Sequence, residues 1–217
     1  MTLFDIVTYS MWISLGIGVY FYKKIGDNSL KLLILFQVLV SIADIFLIYI
    51  LPKEKGAFVK IIYCTLKPLE YNLYVYMFKK NISINKLKYY YLLFTPIIMY
   101  CLAIYTLIFL LPMKSAATNV ILIEGIFTII LVLLYFKEML DSKEIIDLTK
   151  TPLFLIAIGL LIFFSGNIIA TGFYHQLKLN SPELAKPLYK LMNHLLGIFQ
   201  SIMFGFAYYV ASKYTKK

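Results

Sequence analysis

Long apolar segments fill almost the whole chain. Seven can be distinguished, and each is close to the roughly 20 residues that a transmembrane helix needs. They span about residues 3–22, 29–50, 57–78, 88–111, 117–140, 152–173 and 187–210. The pattern predicts an all-α, polytopic membrane protein in which residues 1–217 form a single domain, a bundle of seven transmembrane helices.

The positions of the lysines predict how the bundle is oriented. The 21 basic residues are all lysine, and they are more frequent in the connections that follow the odd-numbered segments. Because positively charged loops stay on the cytoplasmic side, we expect the N-terminus outside and the C-terminus in the cytoplasm. With 61% hydrophobic and 15% charged residues, the chain is expected to be a multi-pass protein of the cell's inner (plasma) membrane.

The net charge of +10 is spread over short loops and does not form one patch. Lysines scattered in this way suit the anionic head groups of lipids better than the backbone of a nucleic acid. We therefore expect membrane lipids as partners and no nucleic acid. The longest polar connection, residues 137–150, has mixed charge and predicts a short interfacial helix that a separate cytoplasmic signalling partner could contact.

Charged residues in the middle of the third segment mark the place where function is expected. A charge at the centre of a transmembrane helix costs about 2.5 to 3.5 kcal/mol on insertion scales, so Lys67 needs a compensating partner. On a helical period Lys67, Glu70 and Tyr74 lie on one face, which predicts that they point into the bundle. Pro68 predicts a kink beside them.

Other polar residues fall at a similar depth when each segment is measured from its midpoint. If they share one cavity, three carboxylates face one ammonium, and the excess negative charge invites a cation or a ligand amine. The opposing interpretation is that Lys67 pairs with Glu70 or Asp44 only to hold helices together. The candidate ligand-binding residues are Asp44, Lys67, Glu70, Glu124, Asn167, Asn193 and His194.

Metal and cofactor sites find little support in the sequence. The chain has two histidines, His175 and His194, so a zinc site of three histidines is excluded. No phosphate-binding, nucleophile-elbow or zinc-protease motif occurs. We expect neither a metal nor a cofactor.

The sixth segment carries two local signals. Thr151 and Pro152 predict its start, with Thr151 as the N-cap and Pro152 at the first helical position. Gly159 and Gly166 are seven residues apart, so we expect a close helix contact on that side.

Several stretches resemble a large group of poorly characterised seven-helix bacterial membrane proteins, some of which stand at the N-terminus of sensor histidine kinases. The resemblance spans nearly the whole chain and implies a sensory or receptor-like membrane module. It rests on residues 63–80, 123–140, 152–167 and the last helix, with the patterns P-x-E-Y at Pro68, Glu70 and Tyr71, Y-F-x-E at Tyr135, Phe136 and Glu138, and F-S-G-N from Phe164 to Asn167.

Three functions remain open from the sequence. The favoured one is a receptor-like or sensory protein that binds a small ligand or cation in an outward-facing polar pocket within the membrane. The second is an intramembrane hydrolase of a lipid-like substrate that uses paired carboxylates, which requires two carboxyl groups close enough to share one water. The third is a small-solute transporter. Whether the protein is an enzyme stays undecided, with a non-enzymatic role favoured.

Overall fold

The computed structural model describes residues 3–45, 55–83, 85–109, 116–142 and 147–214. Within these residues the chain forms seven α-helices and one short 3₁₀ helix, and none of them forms a strand. The prediction of an all-α chain is therefore confirmed for the described part. The helices are α1 (Leu3–Phe21), α2 (Asn28–Ile45), α3 (Lys55–Lys79), α4 (Lys86–Phe109), α5 (Ala116–Asp141), α6 (Pro152–Asn180) and α7 (Pro182–Tyr214), and the 3₁₀ helix is Leu148–Lys150.

Within the described ranges, four stretches are long and apolar enough to cross a membrane: Lys86–Phe109, Asn119–Asp141, Pro152–Asn180 and Pro182–Tyr214. Two shorter apolar stretches, Tyr9–Phe21 and Asn28–Ala43, lie in α1 and α2. The described part of α3 contains charged residues and several tyrosines, and these lower its hydropathy. The helices therefore indicate a membrane protein with four candidate spans.

The helices pack in two compact units. The first comprises Met1–Lys31 and Lys143–Lys217, and in it both α1 and α6 pack against α7. The second comprises Leu32–Ser142, and in it α3, α4 and α5 pack against one another. We refer to them as the α7 unit and the α3 unit.

Two glycines allow α6 to approach α7 closely in the α7 unit. A Cβ added at Gly159 would lie 3.1 Å from the Cβ of Met203, and one added at Gly166 would lie 2.5 Å from Leu196 Cδ2. Real Cβ atoms are rarely so close to their neighbours, so larger residues would push the helices apart. The predicted contact on the glycine side of α6 is confirmed, and its partner is α7.

The connection before α6 differs in detail from the prediction. Thr151 is the N-cap and Pro152 begins the helix as expected, but the Thr151 side chain makes no capping bond. Its hydroxyl donates instead to the carbonyl of Asp147, at 3.1 Å. The Asp147 carboxylate accepts from Lys150 and from the hydroxyl and backbone N–H of Thr149, and these bonds lower the pKa of Asp147 to about 2.

The predicted interfacial helix over residues 137–150 is only partly described. Its first residues belong to α5, which continues to Asp141, and its last three form the 3₁₀ helix Leu148–Lys150. Residues 143–146 lie outside the described residues. The next two helices are longer than the sequence predicted, so that Ser181 alone separates α6 from α7.

Candidate functional site

A lysine and a glutamate from α3 form the first half of the candidate site. The Nζ atom of Lys67 donates a hydrogen bond of 2.5 Å to Oε2 of Glu70, one helical turn further on. The hydroxyl of Tyr74 donates to the other oxygen, Oε1, also at 2.5 Å. Both oxygens of Glu70 thus accept a hydrogen bond. The side chains of Lys67 and Glu70 are largely shielded, with 15% and 17% of their surfaces exposed.

A second carboxylate reaches the same lysine from α5. Oε2 of Glu124 lies 3.4 Å from Lys67 Nζ, which is close enough for an ion pair. Neither oxygen of Glu124 accepts a hydrogen bond from any described residue, and the side chain is completely enclosed, with 0% of its surface exposed. Burial of a carboxylate without hydrogen bonds costs far more than burial of one that is bonded, so Glu124 is the anomalous group of the site.

Thr128 extends the polar surface of α5 by one turn. It follows Glu124 by four residues and therefore lies on the same face of the helix. Thr128 is also fully buried, and its hydroxyl oxygen has no hydrogen-bond partner among the described residues. Three enclosed oxygen atoms, two from Glu124 and one from Thr128, therefore lie on one helix face and accept no hydrogen bond within the described part of the chain.

Hydrogen bonds between helices hold α3, α4 and α5 in place around these residues. The hydroxyl of Tyr71 on α3 donates to Thr95 Oγ1 on α4, at 2.7 Å. The hydroxyl of Tyr91, also on α4, donates to the carbonyl of Phe127 on α5, at 2.5 Å. Since Tyr71 and Phe127 each lie within four residues of the site, these bonds restrict the positions of both carboxylates.

The predicted site residues fall into three groups. Lys67, Glu70 and Glu124 are in contact within the α3 unit. Asp44 lies in α2, but its side chain is outside the described part of the structure.

The remaining predicted residues belong to the α7 unit. Asn167 lies on α6, where its backbone carbonyl accepts from Thr171 Oγ1 at 2.8 Å. Asn193 and His194 lie on α7. The amide oxygen of Asn193 is buried and has no hydrogen-bond partner among the described residues. The contribution of these three residues to a ligand site stays a prediction.

Sequence reasoning missed the roles of two hydroxyl groups. Tyr74 follows Glu70 by four residues, and Thr128 follows Glu124 by four residues, so helical spacing placed each beside its carboxylate. A four-residue spacing is common in helices. It could not show that the Tyr74 hydroxyl bonds to Glu70 whereas the Thr128 hydroxyl has no hydrogen-bond partner among the described residues.

The arrangement offers oxygen acceptors and one ammonium. Among the described residues, no three histidine, cysteine, aspartate or glutamate side chains are grouped so that they could hold a metal ion. No protein-family model, curated protein or solved structure matches the chain. With two carboxylates around one ammonium, the local chemistry suits a small group that brings positive charge or hydrogen-bond donors.

Proposed function

We propose that the chain is a receptor-like or sensory membrane protein that binds a small cation or protonated amine at Glu124. The observation that supports this most directly is that Glu124 is fully enclosed and that neither of its oxygens accepts a hydrogen bond from a described residue. The ammonium of Lys67 compensates one negative charge. Glu70 lies closer to this ammonium than Glu124 does, at 2.5 Å compared with 3.4 Å. When both carboxylates are ionised, one of the two negative charges has no counter-charge among the described residues, and a bound cation would supply that counter-charge.

Thr128 and Glu70 have different roles in this proposal. The Thr128 hydroxyl lies on the same helix face as Glu124 and would accept a further hydrogen bond from a bound amine. Glu70 keeps Lys67 in position and is itself held by Tyr74, so it orients the site. Asp44 belongs to the same unit and stays a proposed ligand-binding residue on the strength of the sequence.

A ligand screen with two matched variants tests this proposal. Purified protein in detergent is titrated with sodium, calcium, methylammonium and choline while thermal unfolding is followed. A ligand at 100 times its Kd stabilises the folded state by about 2.7 kcal/mol, which gives a measurable rise in Tm. We expect at least one cation to raise the Tm of the wild type and of Glu138→Gln, and to leave that of Glu124→Gln unchanged.

Glu138→Gln is the control because it also removes a carboxylate from α5, one that pairs with Lys88 rather than Lys67. Glu124→Gln keeps the shape of the side chain and leaves Lys67 bonded to Glu70, so the variant is expected to fold. A screen without any hit contradicts the proposal. So does a hit that stabilises Glu124→Gln as strongly as the wild type.

An intramembrane hydrolase is the second candidate, and one contact favours it. Glu70 and Glu124 both lie against the Nζ atom of Lys67, so two carboxyl groups are close together as acid and base catalysis requires. The same preparations are incubated with lysophospholipids. Turnover that is lost in both Glu70→Gln and Glu124→Gln would favour the enzyme over the receptor.

We also propose that the chain crosses the membrane seven times, with its N-terminus outside and its C-terminus in the cytoplasm. The lysine distribution supports this orientation, and the resemblance to sensor modules supports a separate cytoplasmic partner that contacts residues 137–150. The pocket would then open toward the outer side of a bacterial inner membrane.

Cysteine labelling of intact cells measures this orientation. In a variant whose two natural cysteines are replaced by alanine, a single cysteine is placed at Asn180 or at Asn81, both of which are exposed. A membrane-impermeant thiol reagent is expected to label the cysteine at position 180 and to leave the one at position 81 unlabelled until the cells are opened. The reverse pattern would place the pocket on the cytoplasmic side.

A further inference from the structure

An apolar groove lies between α4 and α5, on a different surface from the carboxylate site. Its volume is about 370 Å³. Part of its wall is open to the surroundings, since Leu87 is 80% exposed and Tyr90 53% exposed. The residues that line it are Leu87, Lys88, Tyr90, Tyr91, Ile130 and Leu134.

Basic residues gather at one end of this groove. Lys88 lies in its wall and forms an ion pair with Glu138, which brings the start of α4 beside the end of α5. Lys86 precedes Tyr90 by four residues, and Lys137 follows Leu134 by three, so both lie on the helix faces that form the groove. Both lysines are exposed, as is Asp141, four residues beyond Lys137, so three lysines face two carboxylates, Glu138 and Asp141, and this end of the groove keeps a net positive charge.

The other end of the groove is apolar. Ile130 precedes Lys137 by seven residues, which is about 10 Å along the helix axis. Both helices of the groove contain candidate membrane spans, Lys86–Phe109 and Asn119–Asp141. Polarity thus changes along the groove as it does along a phospholipid, from a charged head group to an acyl chain.

We propose that the groove binds one anionic phospholipid. One acyl chain of this lipid lies against Tyr91, Ile130 and Leu134, and the phosphate of its head group faces Lys86 and Lys137. Lysine ammonium groups attract anionic head groups as point charges, and the apolar wall accommodates the chain. This site does not depend on ligand binding at Glu124.

Native mass spectrometry of the detergent-purified protein tests the proposal, with equal amounts of phosphatidylglycerol and phosphatidylcholine added. We expect the wild type to retain phosphatidylglycerol in preference to phosphatidylcholine. Ile130→Trp fills the groove and should lose most of the retained phosphatidylglycerol, because the indole occupies space that the acyl chain would need. Leu133→Trp is the matched control, because Leu133 is exposed on α5 and does not line the groove.

Two further variants test separately the contacts of the acyl chain and those of the lipid head group. Leu87→Trp narrows the groove from α4 at a highly exposed position, and it should lower lipid retention even if Ile130→Trp does not fold. Lys137→Gln should reduce the preference for phosphatidylglycerol over phosphatidylcholine about fivefold, as expected for one lysine near an anionic surface. Equal retention of both lipids by the wild type would overturn the proposal, and so would retention by Leu87→Trp as strong as that of Leu133→Trp.

Discussion

Lys67→Met is expected to lower the free energy of unfolding by about 3 to 5 kcal/mol, the usual cost of removing one partner of a buried ion pair. Its Nζ atom contacts carboxylates of two helices, Glu70 on α3 and Glu124 on α5. Without the lysine, Glu124 is left fully enclosed with neither a hydrogen bond nor a counter-charge. Equilibrium unfolding in mixed detergent micelles measures the change.

The second substitution in each double variant identifies the partner that matters. Lys67→Met with Glu124→Gln should recover much of the lost stability, because the enclosed charge is removed as well. Lys67→Met with Glu70→Gln should recover less, since Glu124 still lacks a partner. Lys79→Met, which changes an exposed lysine at the end of α3, is the control and should lie close to the wild type. A Lys67→Met variant as stable as that control would show that the lysine compensates no buried charge.

Phe78→Ala is expected to destabilise the α3 unit by about 3 to 5 kcal/mol. Phe78 is fully buried near the end of α3, and its ring lies 5.2 Å from that of Tyr135 on α5, measured between centroids. Truncation would leave a cavity between the two helices that bring Lys67 beside Glu124. In a membrane the lost packing contacts are the main cost, because lipid chains are as apolar as the side chain.

Thermal unfolding in detergent measures this effect, with Phe94→Ala as the control. Phe94 is a phenylalanine of α4 with half of its surface exposed, so its truncation should change stability by less than about 0.5 kcal/mol. We further expect Phe78→Ala to weaken any cation-induced rise in Tm, because the separation between α3 and α5 is no longer held. Equal stability of the two alanine variants would contradict this account of the helix contact.

The class of the protein follows from local properties of the sequence. Hydropathy and helical period depend on neighbouring residues, so they predicted an all-α chain and placed Lys67 and Glu70 on one face of α3. Helix ends were less predictable. The helix α6 continues seven residues beyond the predicted end at Phe173, because backbone hydrogen bonding does not stop where the apolar residues become fewer.

The contact between Lys67 and Glu124 was decided by tertiary structure, whereas the side chain of Asp44 lies outside the described part of the structure. Asp44 and Glu124 fall at the same estimated depth, and the sequence left both as possible partners beside Glu70. The packing of α5 against α3 brings Glu124 within 3.4 Å of Lys67, although 57 residues separate them along the chain. The helical period predicts which residues share a face of one helix. Which other helix packs against that face depends on the packing of the whole unit. For the same reason, only the packed structure could reveal that Glu124 is enclosed and accepts no hydrogen bond from any described residue.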